Sequence, residues 1–266
     1  MLNELLARVR KNPAKLLQIF TLDGMRKGAT LVRGYQKQRA AEAEKRRRVA
    51  EFKSEAWRHS QGFSQRTTVG SYEEHVARQA SKMEGIVKAG LAKLNPKTIE
   101  RFRRRFEAVP LAPNSMVLCL AARVGDEVEA WRVLGHPEAI GIDINPGPDN
   151  PLVVIGDFHA LKYPDASIDC IYCNSLDHAF DLDKIAGEVR RVLRPGGLFV
   201  LDVVYGHSEQ GGGKGYLVGP LDTTHWPTAR GFADVMAKKC GFTMESARDL
   251  TDVGSAEWVQ CLLRKR

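Results

Sequence analysis

The chain has 266 residues, 43% of them hydrophobic and 27% charged, which is the composition of a globular protein that can bury a core without disulfides. It contains no run approaching the roughly 18 apolar residues of a membrane span, and residues 1–10 lack the features of a signal peptide. The five cysteines are odd in number and irregularly spaced, which favours reduced thiols. We therefore expect a cytoplasmic protein rather than a secreted or integral-membrane one.

The net charge of +8 is unevenly distributed along the chain. Residues 1–106 carry a balance of +15, whereas residues 107–266 carry a balance of −7. This asymmetry predicts a basic, mainly helical N-terminal extension over residues 1–109, followed by a globular domain over residues 110–266.

The extension itself has a recognisable order of elements. These are an amphipathic segment at 2–20, a solvated helix at 36–58, a loop at 59–71, a helix from Ser71 to about Ala92 and a basic helix at 97–109. Ser71 and Glu74 have the spacing of a capping box, in which each side chain binds the backbone amide of the other residue.

From Ser115 onward, short apolar runs alternate with helical patterns. Strands are predicted at 116–120, 139–144, 152–155, 168–173, 198–204, 242–250 and 257–263, and helices at 126–134, 182–193 and 229–239. This alternation predicts an α/β fold with a mostly parallel sheet. Cys170 and Cys173 lie three apart on one predicted strand and so face opposite sides of the sheet, and we predict no metal site.

Polar and small residues follow four of these strands, where open parallel sheets bind their ligands. The first strand ends in the segment 119–125, which has small residues at 121, 122 and 125 that let a ligand approach the backbone. The second ends in Asp143, whose two oxygens can accept hydrogen bonds from both hydroxyls of a ribose. The third ends in Asp157 and Phe158, a pair able to accept from an adenine amino group and to cover its ring. The fourth strand is followed by Asp177 and His178.

Two longer segments resemble the class I S-adenosylmethionine-dependent methyltransferases. Residues 156–172, GDFHALKYPDASIDCIY, and residues 188–197, EVRRVLRPGG, are similar to two segments of that family, and the resemblance covers about residues 115–266. It implies a Rossmann-like fold, with a mostly parallel seven-stranded sheet whose last strand is antiparallel. It also implies S-adenosyl-L-methionine as the cofactor.

The resemblance further implies roles by position. The loop after the first strand would surround the methionine part of the cofactor, Asp143 would bind the ribose with Ile144 beside the adenine, and Asp157 would bind the adenine with Phe158. Asn174 and Leu176 would form the wall near the sulfonium. The implied cofactor-binding residues are Cys119, Ala121, Arg123, Gly125, Asp143, Ile144, Asp157, Phe158, Asn174 and Leu176.

The first loop departs from the family pattern. Cys119 stands where an acidic residue is usual, and Ala121 and Arg123 stand where glycines are usual. Either Arg123 or Glu127 takes part in cofactor contacts, or cofactor binding is impaired and the chain is a non-catalytic, methyltransferase-like binding protein. The variant loop together with the motif GIDINPG is also similar to a subgroup associated with saccharide and polysaccharide biosynthesis.

We expect O-methylation of a small-molecule or saccharide acceptor. A hydroxyl acceptor benefits from a general base, and His178, five residues beyond the fourth strand, is the first candidate. Asp177 is expected to orient His178 or to bind the acceptor, and His225 is a further candidate, in the long segment 205–227. A purely structural role is equally open for His178, in which it only caps or packs the following helix.

The basic extension is consistent with several roles. It can bind nucleic acid, which would make the protein an RNA or nucleic-acid methyltransferase, or it can lie on an anionic membrane surface. The same composition also suits a dimerisation arm, a helical cap over the acceptor site or a simply solvated helix surface.

Overall fold

The apolar runs predicted as strands form one sheet in the computed structural model, which describes residues 30, 32–40, 42–43, 46–47, 50, 56–209, 219, 221–255 and 257–266. The chain divides into two compact units, residues 1–53 and 54–266. In the first unit the described residues are helical and exposed. The predicted segment at 2–20 and two residues of the basic run at 45–48 lie outside the described residues.

Seven strands form the main sheet of the second unit. They are β3 (Val117–Leu120), β4 (Ile140–Asp143), β5 (Val153–Ile155), β6 (Ile168–Cys173), β7 (Leu193–Val204), β9 (Thr243–Asp249) and β10 (Trp258–Arg264). Their order is β5-β4-β3-β6-β7-β10-β9. The pairs from β5 to β7 are parallel, whereas β10 is antiparallel to both of its neighbours. The predicted sheet, with its antiparallel last strand, is confirmed.

Helices cover both faces of this sheet, because its strands carry apolar side chains on both sides. The helices are α1 (Tyr72–Lys88), α2 (Pro96–Phe106), α3 (Asp126–Val133), α4 (Leu182–Val192) and α5 (Ala229–Cys240). Cys170 and Cys173 belong to different core clusters, one on each face, as their spacing predicts. All five cysteines are buried and free.

The two helices that precede the sheet are fixed by local sequence signals and by one buried ion pair. Ser71 and Glu74 form the predicted capping box of α1, and Asn95 caps α2. Arg105 of α2 is buried and donates to Asp202 Oδ2 of β7 over 2.9 Å. Both helices lie in the same compact unit as the sheet. The boundary predicted after residue 109 stays a prediction.

The predicted loop at 59–71 is wrong for its first half, which forms a β-hairpin. Strand β1 (Trp57–Ser60) pairs with β2 (Phe63–Arg66), and β2 pairs with β8 (Thr224–His225). Gly62 in the turn has a φ of +84°, which glycine adopts without strain. The hairpin is completed by a strand about 160 residues away, a partner that local sequence patterns do not reveal.

Candidate active site

A cleft lies at the carboxyl ends of β3, β4 and β6, and we call it the first cleft. Its lining comes from helix α1 and from the loops that follow the strands. The lining residues are Gln79, Lys82, Met83, Ile86, Ala121, Arg123, Asp143, Ile144, Asn145, Phe158, Ser175 and His178. Six of the sequence-predicted site residues thus meet in one place. The four residues of α1 were not predicted individually, although the sequence allows a helical cap.

Asp143 is held at the end of β4 by backbone amides. Its Oδ2 accepts a hydrogen bond from the Arg123 N–H over 3.0 Å, and its Oδ1 accepts one from the Asn145 N–H over 2.9 Å. Burial raises the pKa of Asp143 even though both amides oppose the shift. Each carboxylate oxygen retains accepting capacity, so the group can receive two further hydroxyl donors.

The loop between β3 and α3 keeps a glycine-like backbone at two positions that lack glycine. Ala121 has a φ of 54° and Arg123 a φ of 50°, and Gly125 follows with a φ of 93°. A Cβ on Gly125 would lie 2.9 Å from Leu152 Cβ, which is too close for an unstrained contact. The loop therefore has positive φ values, which glycine adopts without strain, at both positions where glycine is absent. Cys119 is fully buried in β3 and lines neither this cleft nor the next one.

A second cleft adjoins the first on the side of helix α2. Four residues line both clefts, namely Ala121, Arg123, Ser175 and His178. The second cleft is also lined by Thr98, Arg101, Phe102, Ala122, Val124, Asp126, Glu127, Asn174, Asp177 and Trp258. The loop after β3 and the segment after β6 therefore form the boundary that the first and second clefts share.

Glu127 is a buried acid in the second cleft. It is 6% exposed, and burial raises its pKa to about 8 because the nearby charge of Arg123 offsets only part of the cost. Asp126 and Asp143 add negative charge around it. A cation entering this cleft would stabilise the ionised carboxylate.

Asp157 does not line the first cleft, although Phe158 does. Its Oδ1 accepts hydrogen bonds from the backbone N–H of His159 over 2.8 Å and from its ring Nδ1 over 2.9 Å. Its Oδ2 accepts a hydrogen bond from the Tyr72 hydroxyl of α1. Burial opposes ionisation, but these donors prevail and hold the pKa at about 2. In this structure the carboxylate connects α1 to the sheet.

His178 lies between a cation and two carboxylates. Its Nε2 is 2.9 Å from Lys82 Nζ, 3.6 Å from Asp177 Oδ2, and its Nδ1 is 3.4 Å from Asp222 Oδ1. Because an ammonium group has only donors, Nε2 accepts from Lys82. Burial, together with the charge of Lys82, lowers the pKa of His178 to about 4. Burial also lowers the pKa of Lys82 to about 8.

Asp177, His178 and Asp222 bring three potential metal ligands within 4.8 Å of one another. The Lys82 ammonium lies within hydrogen-bond distance of the His178 imidazole. It therefore places a positive charge where a cation would bind.

The third predicted catalytic residue, His225, lies outside both clefts. It is 1% exposed on β8, and its Nε2 is 3.2 Å from His207 Nδ1. Burial lowers its pKa to about 3, and it lines neither cleft. Leu176 is also buried, and it lines a separate apolar cavity beside the second cleft.

The basic run of α2 is largely engaged within the protein. Arg105 is buried against Asp202, Arg103 pairs with Glu100 and Glu107, and Arg104 pairs with Glu100. Arg101 is exposed and lines the second cleft.

In the part of the chain that the structure describes, no helix combines the length and apolarity needed to cross a membrane.

A family model described as a methyltransferase domain matches residues 118–201. Two curated fungal proteins match over 47 residues: the sterol 24-C-methyltransferases of Aspergillus fumigatus, 47% identical, and of Gibberella zeae, 45% identical. Each match covers 17% of this chain and only 12% of the relative's length.

Solved structures share the fold at low sequence identity. The 1,6-didemethyltoxoflavin-N1-methyltransferase of Burkholderia thailandensis, solved with S-adenosylhomocysteine, is 15% identical with a TM-score of 0.58, over 79% of this chain and 98% of that one. The phosphoethanolamine N-methyltransferase 2 of Haemonchus contortus is 13% identical with a TM-score of 0.51, over 76% and 62% of the two chains. The strand order, the strand-end cleft and the matched family model agree. The chain therefore contains a methyltransferase domain match over residues 118–201, and its fold is similar to that of S-adenosylmethionine-dependent methyltransferases.

Proposed function

We propose that this protein transfers a methyl group from S-adenosylmethionine to a hydroxyl group of a small-molecule acceptor. The observation that carries the proposal is the junction of the two clefts at the β3–α3 loop and the end of β6. One cleft contains an acceptor of hydroxyl hydrogen bonds, Asp143, and the other contains a buried acid, Glu127. These are the groups that a nucleoside carrying an amino acid requires.

The first cleft suits the adenosine part of the cofactor. Asp143 would accept from the ribose hydroxyls, since backbone amides already fix its orientation. Met83, Ile86, Ile144 and Phe158 offer apolar surface for the adenine ring. Helix α1 therefore supplies one wall of the proposed nucleoside site.

The second cleft suits the methionine part. Glu127 would pair with the α-ammonium group, and the exposed Arg101 of α2 would pair with the α-carboxylate. Glu127 would thus provide the negative charge that Cys119 cannot provide. This arrangement supports cofactor binding by the altered loop over a loss of binding.

When bound, the cofactor supplies an electrophilic methyl group on a sulfonium. The acceptor oxygen forms a bond to the methyl carbon as the carbon–sulfur bond breaks, with the electron pair leaving on sulfur. The chain must align the two atoms and remove the acceptor proton. Lys82 and His178 together are the candidate general base. The pKa of Lys82 is lowered to about 8, and its Nζ contacts the imidazole of His178.

Calorimetric titration with S-adenosylmethionine and with S-adenosylhomocysteine tests the proposal. We expect Glu127→Gln to weaken binding by about 30-fold or more, the equivalent of about 2 kcal/mol for an unpaired buried charge. Glu129→Gln, on the same helix and less buried, is the matched control and should bind as the wild type does. A folded wild-type protein without affinity for either compound would reject the proposal in favour of a non-catalytic binding protein.

A further inference from the structure

We propose that the acceptor presents a single aromatic ring to the apolar cavity between the carboxyl ends of β6 and β7. This inference rests on the proposed methyl transfer and names the substrate class for it. The cavity has a volume of about 150 Å³. An apolar cavity of roughly that size accommodates one benzene ring in another protein.

The walls of this cavity are aromatic and aliphatic. Trp226 stacks on Phe232 with ring centroids 4.3 Å apart, and its Nε1–H donates to the Val204 carbonyl over 2.8 Å. Because the indole N–H is hydrogen-bonded within the protein, Trp226 contributes apolar surface to the cavity wall. Leu176 and Val203 extend the apolar wall, and both are 3% exposed.

The buried carboxylate that lines the cavity, Asp202, already has partners within the protein. The carboxylate of Asp202 receives hydrogen bonds from Arg105 and Tyr172, each over 2.9 Å, and from Gln260 over 3.1 Å. A saccharide in this cavity would bury several hydroxyls with few partners, at a cost of about 1–3 kcal/mol for each unpaired group. An aromatic ring carries no such cost.

The cavity shares part of its lining with the second cleft. Asn174, Asp177 and Trp258 line both the cavity and the second cleft. A ring bound among the apolar walls would therefore direct a ring hydroxyl toward Asn174 and Asp177. That hydroxyl would meet the second cleft where the methionine part of the cofactor is proposed to bind. The geometry points to a phenolic acceptor.

Phenol is the probe for the cavity, titrated into protein saturated with S-adenosylhomocysteine and followed by ligand-observed NMR. We expect Val203→Phe, which fills the cavity, to weaken phenol binding at least tenfold while leaving S-adenosylhomocysteine affinity unchanged. Val154→Phe is the matched control, because Val154 is 45% exposed on β5 and distant in sheet order. Leu176→Phe provides a second filling variant in case Val203→Phe does not fold.

The outcomes separate this inference from the proposed function. Phenol binding that neither filling variant changes, or stronger binding of methyl glucoside than of phenol, would overturn the aromatic assignment. A wild-type protein that does not bind S-adenosylhomocysteine would reject the methyl-transfer proposal, whether or not it binds phenol. Formation of anisole from phenol and S-adenosylmethionine, reduced in Val203→Phe, would support both.

Discussion

Lys82 of helix α1 and His178 beyond strand β6 meet with Nζ and Nε2 2.9 Å apart. The contact joins positions 96 residues apart and makes the histidine a hydrogen-bond acceptor for the lysine. His178 alone cannot take a proton at Nε2 until Lys82 moves or loses its own proton. The two groups therefore titrate as a pair, and the apparent pKa values of the pair govern any role in catalysis.

The pH dependence of methyl transfer distinguishes the members of this pair. We expect kcat to rise with pH through about 8, because the neutral amine of Lys82 becomes available there. Lys82→Met should lower kcat on the order of 100-fold and remove that limb of the profile. Lys88→Met, at the end of the same helix, is the control. A limb near pH 4 in the wild type would instead identify His178 as the sole base.

Glu127, which we propose binds the cofactor, should destabilise the free protein once the pH exceeds its ordinary pKa. Its folded-state pKa of about 8 lies above its ordinary value of 4.5, so its contribution to stability is present below pH 4.5 and is lost as pH rises through 8. Glu127→Gln lacks this loss. We expect its melting temperature to exceed that of the wild type at pH 8 and to match it near pH 4.5. A lower melting temperature at pH 8 would contradict the assignment.

The β3–α3 loop offers a test of backbone strain through neighbouring alanines. Ala121 has a positive φ, which costs a non-glycine residue about 1–2 kcal/mol. Since glycine loses about 0.5–1 kcal/mol more backbone entropy on folding, Ala121→Gly should stabilise the protein by between zero and about 1.5 kcal/mol. Ala122→Gly, at a buried position with ordinary φ, should destabilise by about 1–2 kcal/mol. Urea denaturation of both variants measures the contrast.

The ion pair between Arg105 and Asp202 should matter far more than its surface neighbours. Arg105→Ala leaves a buried carboxylate without its cation, and we expect a loss of about 3–5 kcal/mol. Arg104→Ala removes an exposed pair with Glu100 and should cost about 1 kcal/mol or less. Equal effects of the two substitutions in chemical denaturation would show that burial of the pair contributes nothing.

The sequence predicts the main sheet well because each of its elements has a local signal. Strand β6, for example, is predicted at its observed bounds, Ile168–Cys173, since an apolar run there is flanked by turn residues. The hairpin of β1 and β2 lacks such a signal, because it depends on pairing with β8. Local apolar periodicity does not reveal distant tertiary partners.

The predicted site shows the same division between local and distant information. The strand ends indicate Asp143, Phe158 and His178, because parallel strands bring their carboxyl ends to one edge. Tyr72 and Lys82 were not predicted, since nothing in the periodicity of α1 states which loops the helix covers. Glu127 is indicated by the sequence only as an alternative to Arg123, and its depth of burial is visible in three dimensions alone.

Helix α1 is tied to loops that are synthesised long after it. The Ala80 carbonyl accepts from Asn145, the Tyr72 hydroxyl donates to Asp157, and Gln79 donates to the Leu221 carbonyl. During translation, the hydrogen bond from Gln79 to the Leu221 carbonyl can form only after about 140 further residues have been synthesised. The α1 wall of the first cleft is therefore completed only after the sheet strands from β3 to β7 have been made. An arrest of translation before Leu221 would leave the parallel strands present and the cleft without its complete cover.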